Sequence, residues 1–422
     1  MSPTSKHEAE SGWPWFLVEW GFYFALFFEP WGPVLRYSGW FFCLVGLAVL
    51  IVKKRDPVEG HVLDGIFARI LWFVIGWSVI STALGFWNWY YAIKGVSIPL
   101  EATFGLWLAA LVVRTRGPER FERVWWASSA VVFAWTIAAA LFDGLVPQVF
   151  SNVNTLGLYA VIALPMSLSL AVRNFYGPRG LRFILSGALF IGNLMALFLS
   201  FSLGPWLVAL FEILLFLLLV RPPLGRVIKA AGFTLLVAGA LVSFIVAADK
   251  NVVPRARHEI TQLVSVSDDF SRFTSKRSVI WEETLDLSME RPLTGWGWIQ
   301  FRTLFEKTRG KLTSVGIPFE PHNMYLTLLT AGGVPLLAAG LALFLRAAWL
   351  AFRKLGKVEG DLRYLYAAVF TVMTAILIYG MAGSIFSARH KVGFLFWALC
   401  GVAVAGSDGL PGARKEAESK RD

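Results

Sequence analysis

The chain has 422 residues, 56% of them hydrophobic and 16% charged, whereas soluble domains carry roughly 25% charged residues. One water-soluble core cannot hide that much apolar surface, so a soluble globular protein is excluded and the surplus must face lipid. The net charge of +11 does not indicate a nucleic-acid binder, because the Lys and Arg fall in short clusters between apolar runs, the pattern of orientation charge.

The N-terminus, Met1-Ser2-Pro3 with His7, Glu8 and Glu10, lacks the basic start and small-residue cleavage site of a signal peptide, so the first apolar run should stay as a span. Apolar segments follow near 16–34, 38–52, 66–84, 97–113, 124–142, 155–172, 183–202, 205–220, 230–247, 323–345, 364–383 and 391–406. About twelve transmembrane helices are expected from the length a bilayer requires. The connections give the orientation. Lys53-Lys54-Arg55, then Arg114, Arg116, Arg120 and Arg123, then Arg173, Arg179 and Arg182, then Arg221, Arg226 and Lys229, then Arg346, Arg353, Lys354, Lys357 and Arg363 mark every second connection as basic. Those connections are expected on the cytoplasmic side, with both termini. Nineteen Trp and 35 Phe suit the aromatic belts of a bilayer protein. Cys43 and Cys400 both lie in apolar runs and imply neither a disulfide framework nor a metal site.

The remaining connections are short, with one exception. From Asp249 to Pro321 the chain runs roughly seventy residues without a span, a length that points to function or a folded element. The chain therefore divides into helices 1–248, an outer loop 249–322, and helices plus tail 323–422. Inside the loop, Ser278 to Ser288 reads as an amphipathic helix, with Ile280, Leu285 and Leu287 apolar and Glu282, Glu283 and Asp286 polar. Arg291-Pro292-Leu293-Thr294-Gly295-Trp296-Gly297 ends it, because Pro and Gly do not continue a helix. No internal repeat is visible, which counts against transporter folds built from repeated halves.

The loop closes on Glu320-Pro321-His322-Asn323 at the mouth of the next span. Imidazole titrates near neutral pH, so His322 is a general-base candidate; the plainer reading is a helix cap. Arg277, with Arg272 and Lys276 nearby, offers a planar fork that fits phosphate oxygens, against the plainer reading of a solvated charge. Arg389-His390-Lys391 sits on the expected outer side and suits either a lipid-linked phosphate or membrane headgroups. Glu212 is in mid-span, where an ionisable group is costly, and either a functional role or an interhelical bond accounts for it. Glu101 lies near the outer end of the fourth span. No Walker loop, dinucleotide fingerprint, HExxH or CxxC pair occurs, so nucleotide chemistry is unsupported.

Together these segments resemble the bacterial O-antigen ligase and O-antigen polymerase superfamily. Pro321-His322-Asn323-Met324-Tyr325-Leu326 followed by Ala331-Gly332-Gly333-Val334-Pro335 is similar to its signature. Arg277-Ser278-Val279-Ile280-Trp281, Arg291–Gly297 and Asn152-Val153-Asn154-Thr155-Leu156-Gly157 resemble its preceding elements in order and spacing, from about Phe150 to about Leu345. One stretch departs. Ser202-Leu203-Gly204-Pro205-Trp206 stands where the family has Ser-Arg-Gly-x-Trp, so Leu203 replaces an arginine associated with the donor diphosphate. Arg36, Lys94 and Arg389 are the cations considered as substitutes.

The resemblance implies an all-α integral membrane protein with one large, partly helical periplasmic loop, in the bacterial inner membrane. It implies transfer of a glycan from undecaprenyl diphosphate to an acceptor hydroxyl, on lipid A core or a similar glycan, at the periplasmic face. His322 and Arg277 would be catalytic, and Arg389, His390, Lys391, Asn323, Arg272 and Lys94 would bind substrate. Trp296, Trp298 and Phe301 would pack the polyprenyl tail or cover the site. No metal or cofactor is implied where arginines neutralise the diphosphate, and the partners are donor, acceptor and membrane lipids rather than nucleic acid. A ligase and a polymerase of the superfamily share these residues. A transporter, the reading from another class, accounts for the spans and Glu212 but not for the ordered loop motifs.

Overall fold

The computed structural model describes residues 12–53, 61–85, 89–142, 150, 153–176, 180–248, 252–264, 274, 276–298, 301–310, 316–386 and 392–405. Among these residues the fold is all-helical. In chain order the helices are α1 (Trp13–Phe28), α2 (Pro33–Val52), α3 (Gly65–Leu84), α4 (Trp89–Arg116), α5 (Pro118–Phe142), α6 (Val153–Tyr176), α7 (Leu181–Leu199), α8 (Leu203–Val220) and α9 (Leu224–Ala248). The segment expected as a loop holds α10 (Val252–Val264), α11 (Arg277–Met289) and α12 (Phe301–Thr308), and then α13 (Met324–Leu355), α14 (Asp361–Tyr379) and α15 (Gly393–Val404) close the bundle.

Each expected apolar segment contains a helix. Among the described residues, eight helices are long and apolar enough to cross a bilayer: α2, α3, α4 from Gly95, α6 from Asn154, α7, α8, α13 and α14. α1 and α15, at 16 and 12 residues, fall short of the roughly 20 that a bilayer requires. α13 runs 32 residues, so Arg346 and Lys354 lie on a helix and not in the connection after it. α8 shows how lipid sorts side chains. Leu207, Leu210, Leu214 and Leu218 recur along one face and stay exposed, while Val208, Ala209, Glu212 and Phe216 on the other are buried. This helical-period stripe of leucines facing outward needs an apolar solvent. α6 is almost wholly buried among the other helices.

The N-termini of α1, α3, α5 and α14 and the C-termini of α2, α4, α6 and α13 share one end of the bundle, as the basic-connection pattern predicts. Glu19 takes Arg116 and Arg120 at 3.0 and 2.5 Å. Arg173 lies 3.2 Å from Glu122 and 3.5 Å from Asp361. Asp64 caps α3 by accepting from the Phe67 N–H and receives a two-pronged contact from Arg346 at 3.1 and 2.9 Å. Lys354 donates to the Val402 and Ala405 carbonyls.

At the other end the loop is keyed into a broken helix. α13 loses helical geometry at Gly332 and Gly333. A break inside a bilayer must have its freed backbone groups bonded by protein. Here Trp296 N–H donates to the Thr330 carbonyl at 2.8 Å and Gly297 N–H to Ala331 at 2.9 Å. From α3, the Ser81 hydroxyl donates to Ala331 and the Trp77 indole to Gly332, both at 2.7 Å. In return Val334 N–H donates to Pro292 at 2.7 Å. The close approach demands glycine at two places. Gly333 has φ +67° and faces the Pro292 carbonyl and Leu293, while Gly295, at φ +62°, would set a Cβ 2.6 Å from the Gly332 nitrogen. The two glycine-bearing motifs are thus two halves of one joint.

α11 forms over the expected residues and ends before Arg291-Pro292. Its buried face is Ile280, Thr284, Leu287 and Ser288. Leu285, expected inside, is exposed: it lies near Glu282 on the helix circumference, off the i, i+4, i+7 stripe that faces α13.

Candidate functional site

The site is built on the end of α14. A helix leaves its last carbonyls without partners inside the helix. Just past Tyr379, three successive carbonyls each receive a donor from a different part of the expected motifs. Met324 N–H donates to Gly380 at 2.7 Å, Asn323 Nδ2 to Met381 at 3.2 Å, and Arg277 Nη1 to Ala382 at 2.5 Å. Arg277 is the first residue of α11, and a helix C-terminus carries partial negative charge that favours a cation there. Asn323 also caps α13, because its Oδ1 accepts the Tyr325 and Leu326 N–H groups at 2.9 and 3.0 Å. The Trp281 indole donates to the Pro321 carbonyl at 3.0 Å. One turn therefore ties together α11, α13 and α14.

His322 stands between these anchors with φ +51°, a conformation uncommon for a residue with a Cβ. Its Nδ1 is 3.2 Å from Glu320 Oε1, with side-chain exposures of 32% and 21%, so the ring is accessible without being loose. Tyr379 lies within electrostatic range of both Arg277 and Glu320. Four non-glycine residues have positive φ among those described: Phe201, Arg221, Lys276 and His322. Arg221 is an ordinary left-handed helix cap after α8. The other three flank Leu203, Arg277 and the imidazole. Such strain persists only where surrounding structure enforces it, and it collects at functional sites.

Leu203 begins α8, and a Cβ on the next residue, Gly204, would lie 3.7 Å from Ala382. The stretch where the resemblance expects an arginine is therefore adjacent to the turn that holds Arg277. Arg36 does not serve it: its guanidinium is 3.0 Å from Glu29 and 3.5 Å from Glu101 and rests over the Trp40 and Tyr37 rings. Arg255 of α10 approaches instead, with its guanidinium 6.0 Å from the Phe201 ring centroid. Sequence reasoning missed Arg255, since a lone arginine in a polar helix carries no signal.

Arg272, Arg389, His390 and Lys391 lie outside the described residues, as does Asn152, and of Lys94 only its backbone place in α4 is described. Trp298 and Phe301 do not offer an open apolar surface. Trp298 is buried against Phe386, and Phe301 packs with Ile280 and Phe305. Trp296 donates its indole N–H to Leu287 and carries Arg291 over its ring at 4.1 Å. These aromatics hold the loop together. Glu212 is buried, and among the described residues neither carboxyl oxygen has a hydrogen-bond partner, so no interhelical bond accounts for it there. Cys43 and Cys400 are buried free thiols. Among the described residues no group of three His, Cys, Asp or Glu side chains gathers in one place.

Residues 187–341 match the family model described as O-Antigen ligase. The matched span begins after the Asn152–Gly157 element and takes in Leu203, Arg277, the jointed glycines and His322. No curated protein matches the chain.

Proposed function

With residues 187–341 carrying the domain of the O-antigen ligase/polymerase superfamily, we propose that this multi-pass membrane protein is a ligase-type glycosyltransferase. It moves a glycan from undecaprenyl diphosphate to a sugar hydroxyl, on lipid A core or a similar acceptor, at the periplasmic face of the bacterial inner membrane. In this reading the chain crosses the membrane about twelve times. Segment 249–322 is the periplasmic loop between the helices of 1–248 and those of 323–422. The observation that carries the reading is the turn 380–382, where Arg277 and Asn323 are bonded to neighbouring carbonyls and His322 is held beside them.

The chemistry follows from what each side chain can do. The acceptor oxygen forms a bond to the anomeric carbon while the bond from that carbon to the diphosphate oxygen breaks. The electron pair leaves with the diphosphate, and the acceptor proton passes to His322. A guanidinium has five N–H donors in a fixed fork. One fastened to Ala382 orients Arg277, and the others face the developing charge of the leaving group, where a preorganised donor is worth most. Arg255 adds positive charge at the start of α8, in the region where Leu203 supplies none. Neutralisation by arginine needs no metal ion, so chelator should leave the rate unchanged.

A polymerase would use the same atoms on a different acceptor. Purified protein incubated with a lipid-diphosphate-linked glycan, with and without lipid A core, separates the readings. Glycan appearing on the core supports the ligase, and a lengthened lipid-linked glycan without core supports the polymerase. Neither product, from protein that is folded and supplied with both substrates, would refute glycan transfer.

A further inference from the structure

We infer that Glu320 is the positioning residue of this site: it fixes the His322 proton on Nδ1, so that Nε2 is the atom that meets the acceptor hydroxyl. The inference rests on the reading of His322 as the base. A neutral imidazole has one N–H and one lone-pair nitrogen, and the hydrogen bond made by one decides the role of the other. Glu320 Oε1 is 3.2 Å from Nδ1. A carboxylate at this distance attracts an N–H and repels a lone pair, so the proton belongs on Nδ1 and the lone pair on Nε2.

The backbone makes this contact durable. Pro321, between the two residues, has a ring-locked φ, and its carbonyl is held by the Trp281 indole. On the other side, Asn323 is fixed at both ends of its amide and Met324 N–H is bonded to Gly380. His322, at φ +51°, has its backbone set before any substrate arrives. Glu320 and Arg277 both lie within electrostatic range of Tyr379. Arg277 is directed to the Ala382 carbonyl, and a guanidinium has no acceptor atom, so it cannot replace the carboxylate at Nδ1. When the acceptor proton reaches Nε2, the imidazolium formed is balanced by the Glu320 charge. The glutamate itself gains and loses no proton.

The test uses full-length protein with 15N-labelled histidine in lipid nanodiscs, comparing wild type with Glu320→Gln and Glu320→Ala, and using His322→Ala to assign the signal. Wild type should show a protonated Nδ1 and a lone-pair Nε2. Glu320→Ala should lose that single tautomer, and Glu320→Gln, which keeps an acceptor oxygen, should retain much of it. Transfer should follow the same order, with kcat lower by about 10–100-fold in the alanine variant, the range seen when the partner that orients a metal-ligating histidine is removed. The acceptor KM should change little. An unchanged tautomer and unchanged kcat in Glu320→Ala would overturn the positioning role. Wild-type transfer by His322→Ala would instead overturn the base on which it rests, and the tautomer measurement distinguishes the two failures because it does not depend on activity.

Discussion

At one end of the bundle Glu19 takes Arg116 and Arg120, Glu122 takes Arg173, and Asp64 takes Arg346. At the other, Arg277 is held by a backbone carbonyl. Both arrangements immobilise a guanidinium, but a carboxylate cancels its charge and a carbonyl does not. The first end is fastened by ion pairs and small ion clusters that join the helices there. The second keeps a fixed positive charge, uncancelled among the described residues, beside an accessible imidazole. Arg36 shows that proximity to the site end is not enough: paired with Glu29 and Glu101, it belongs with the structural arginines. Arg277 differs from these ion-paired arginines in having a backbone carbonyl as its partner, the feature that the proposed role uses.

Among changes that break this contrast between the two ends, removing the uncancelled charge should have the largest effect. Arg277→Ala should reduce transfer by about 10²–10³-fold, the usual cost of a donor aimed at developing charge. Its thermal stability should change little, since one net hydrogen bond contributes about 1 kcal/mol. Next is the joint that carries the loop. Gly333→Ala should destabilise the protein by more than the roughly 1–2 kcal/mol of a left-handed alanine, because its Cβ also meets the Pro292 carbonyl and Leu293. Thermal unfolding in detergent would show this. At the opposite end, Asp64→Ala should cost about 1 kcal/mol as a lost cap, plus the Arg346 contact, with transfer by the folded protein unchanged. Burial alone would raise the Asp64 carboxyl, but Arg346 and the Phe67 N–H hold it below its ordinary value. Its contribution to stability should therefore be complete above about pH 4, the unfolded range for Asp, and fade as pH falls through the lower folded value. Leu203→Arg should change transfer least, because Arg255 already brings charge to that stretch. A large gain would show that Arg255 does not fill this role.

The apolar helices were legible because lipid imposes its preference on composition, residue by residue, whereas the twelve expected segments yield eight helices long and apolar enough to span among the described residues. His322, Arg277 and the glycine-bearing segments were legible as motifs, but their relations were not. Nothing local in Pro292–Gly297 says that its carbonyls and N–H groups match the break at Gly332-Gly333, because that pairing joins segments some forty residues apart. Asn323 read as a ligand-binding residue; the structure shows both of its amide ends engaged with backbone. Leu285 misled because a short amphipathic helix offers two plausible apolar stripes, and only packing against α13 selects between them. Glu320 did leave a signal, a carboxylate two residues before the histidine, but its distance from Nδ1 depends on the backbone at Pro321 and His322.

The most direct measurement is the rate of glycan transfer by His322→Ala in nanodiscs, with the unfolding temperature taken on the same sample. Loss of a general base should lower the rate by about 10²–10⁴-fold while the unfolding temperature stays at the wild-type value, because the imidazole fastens no helix. A wild-type rate at an unchanged unfolding temperature would contradict the assignment of the site.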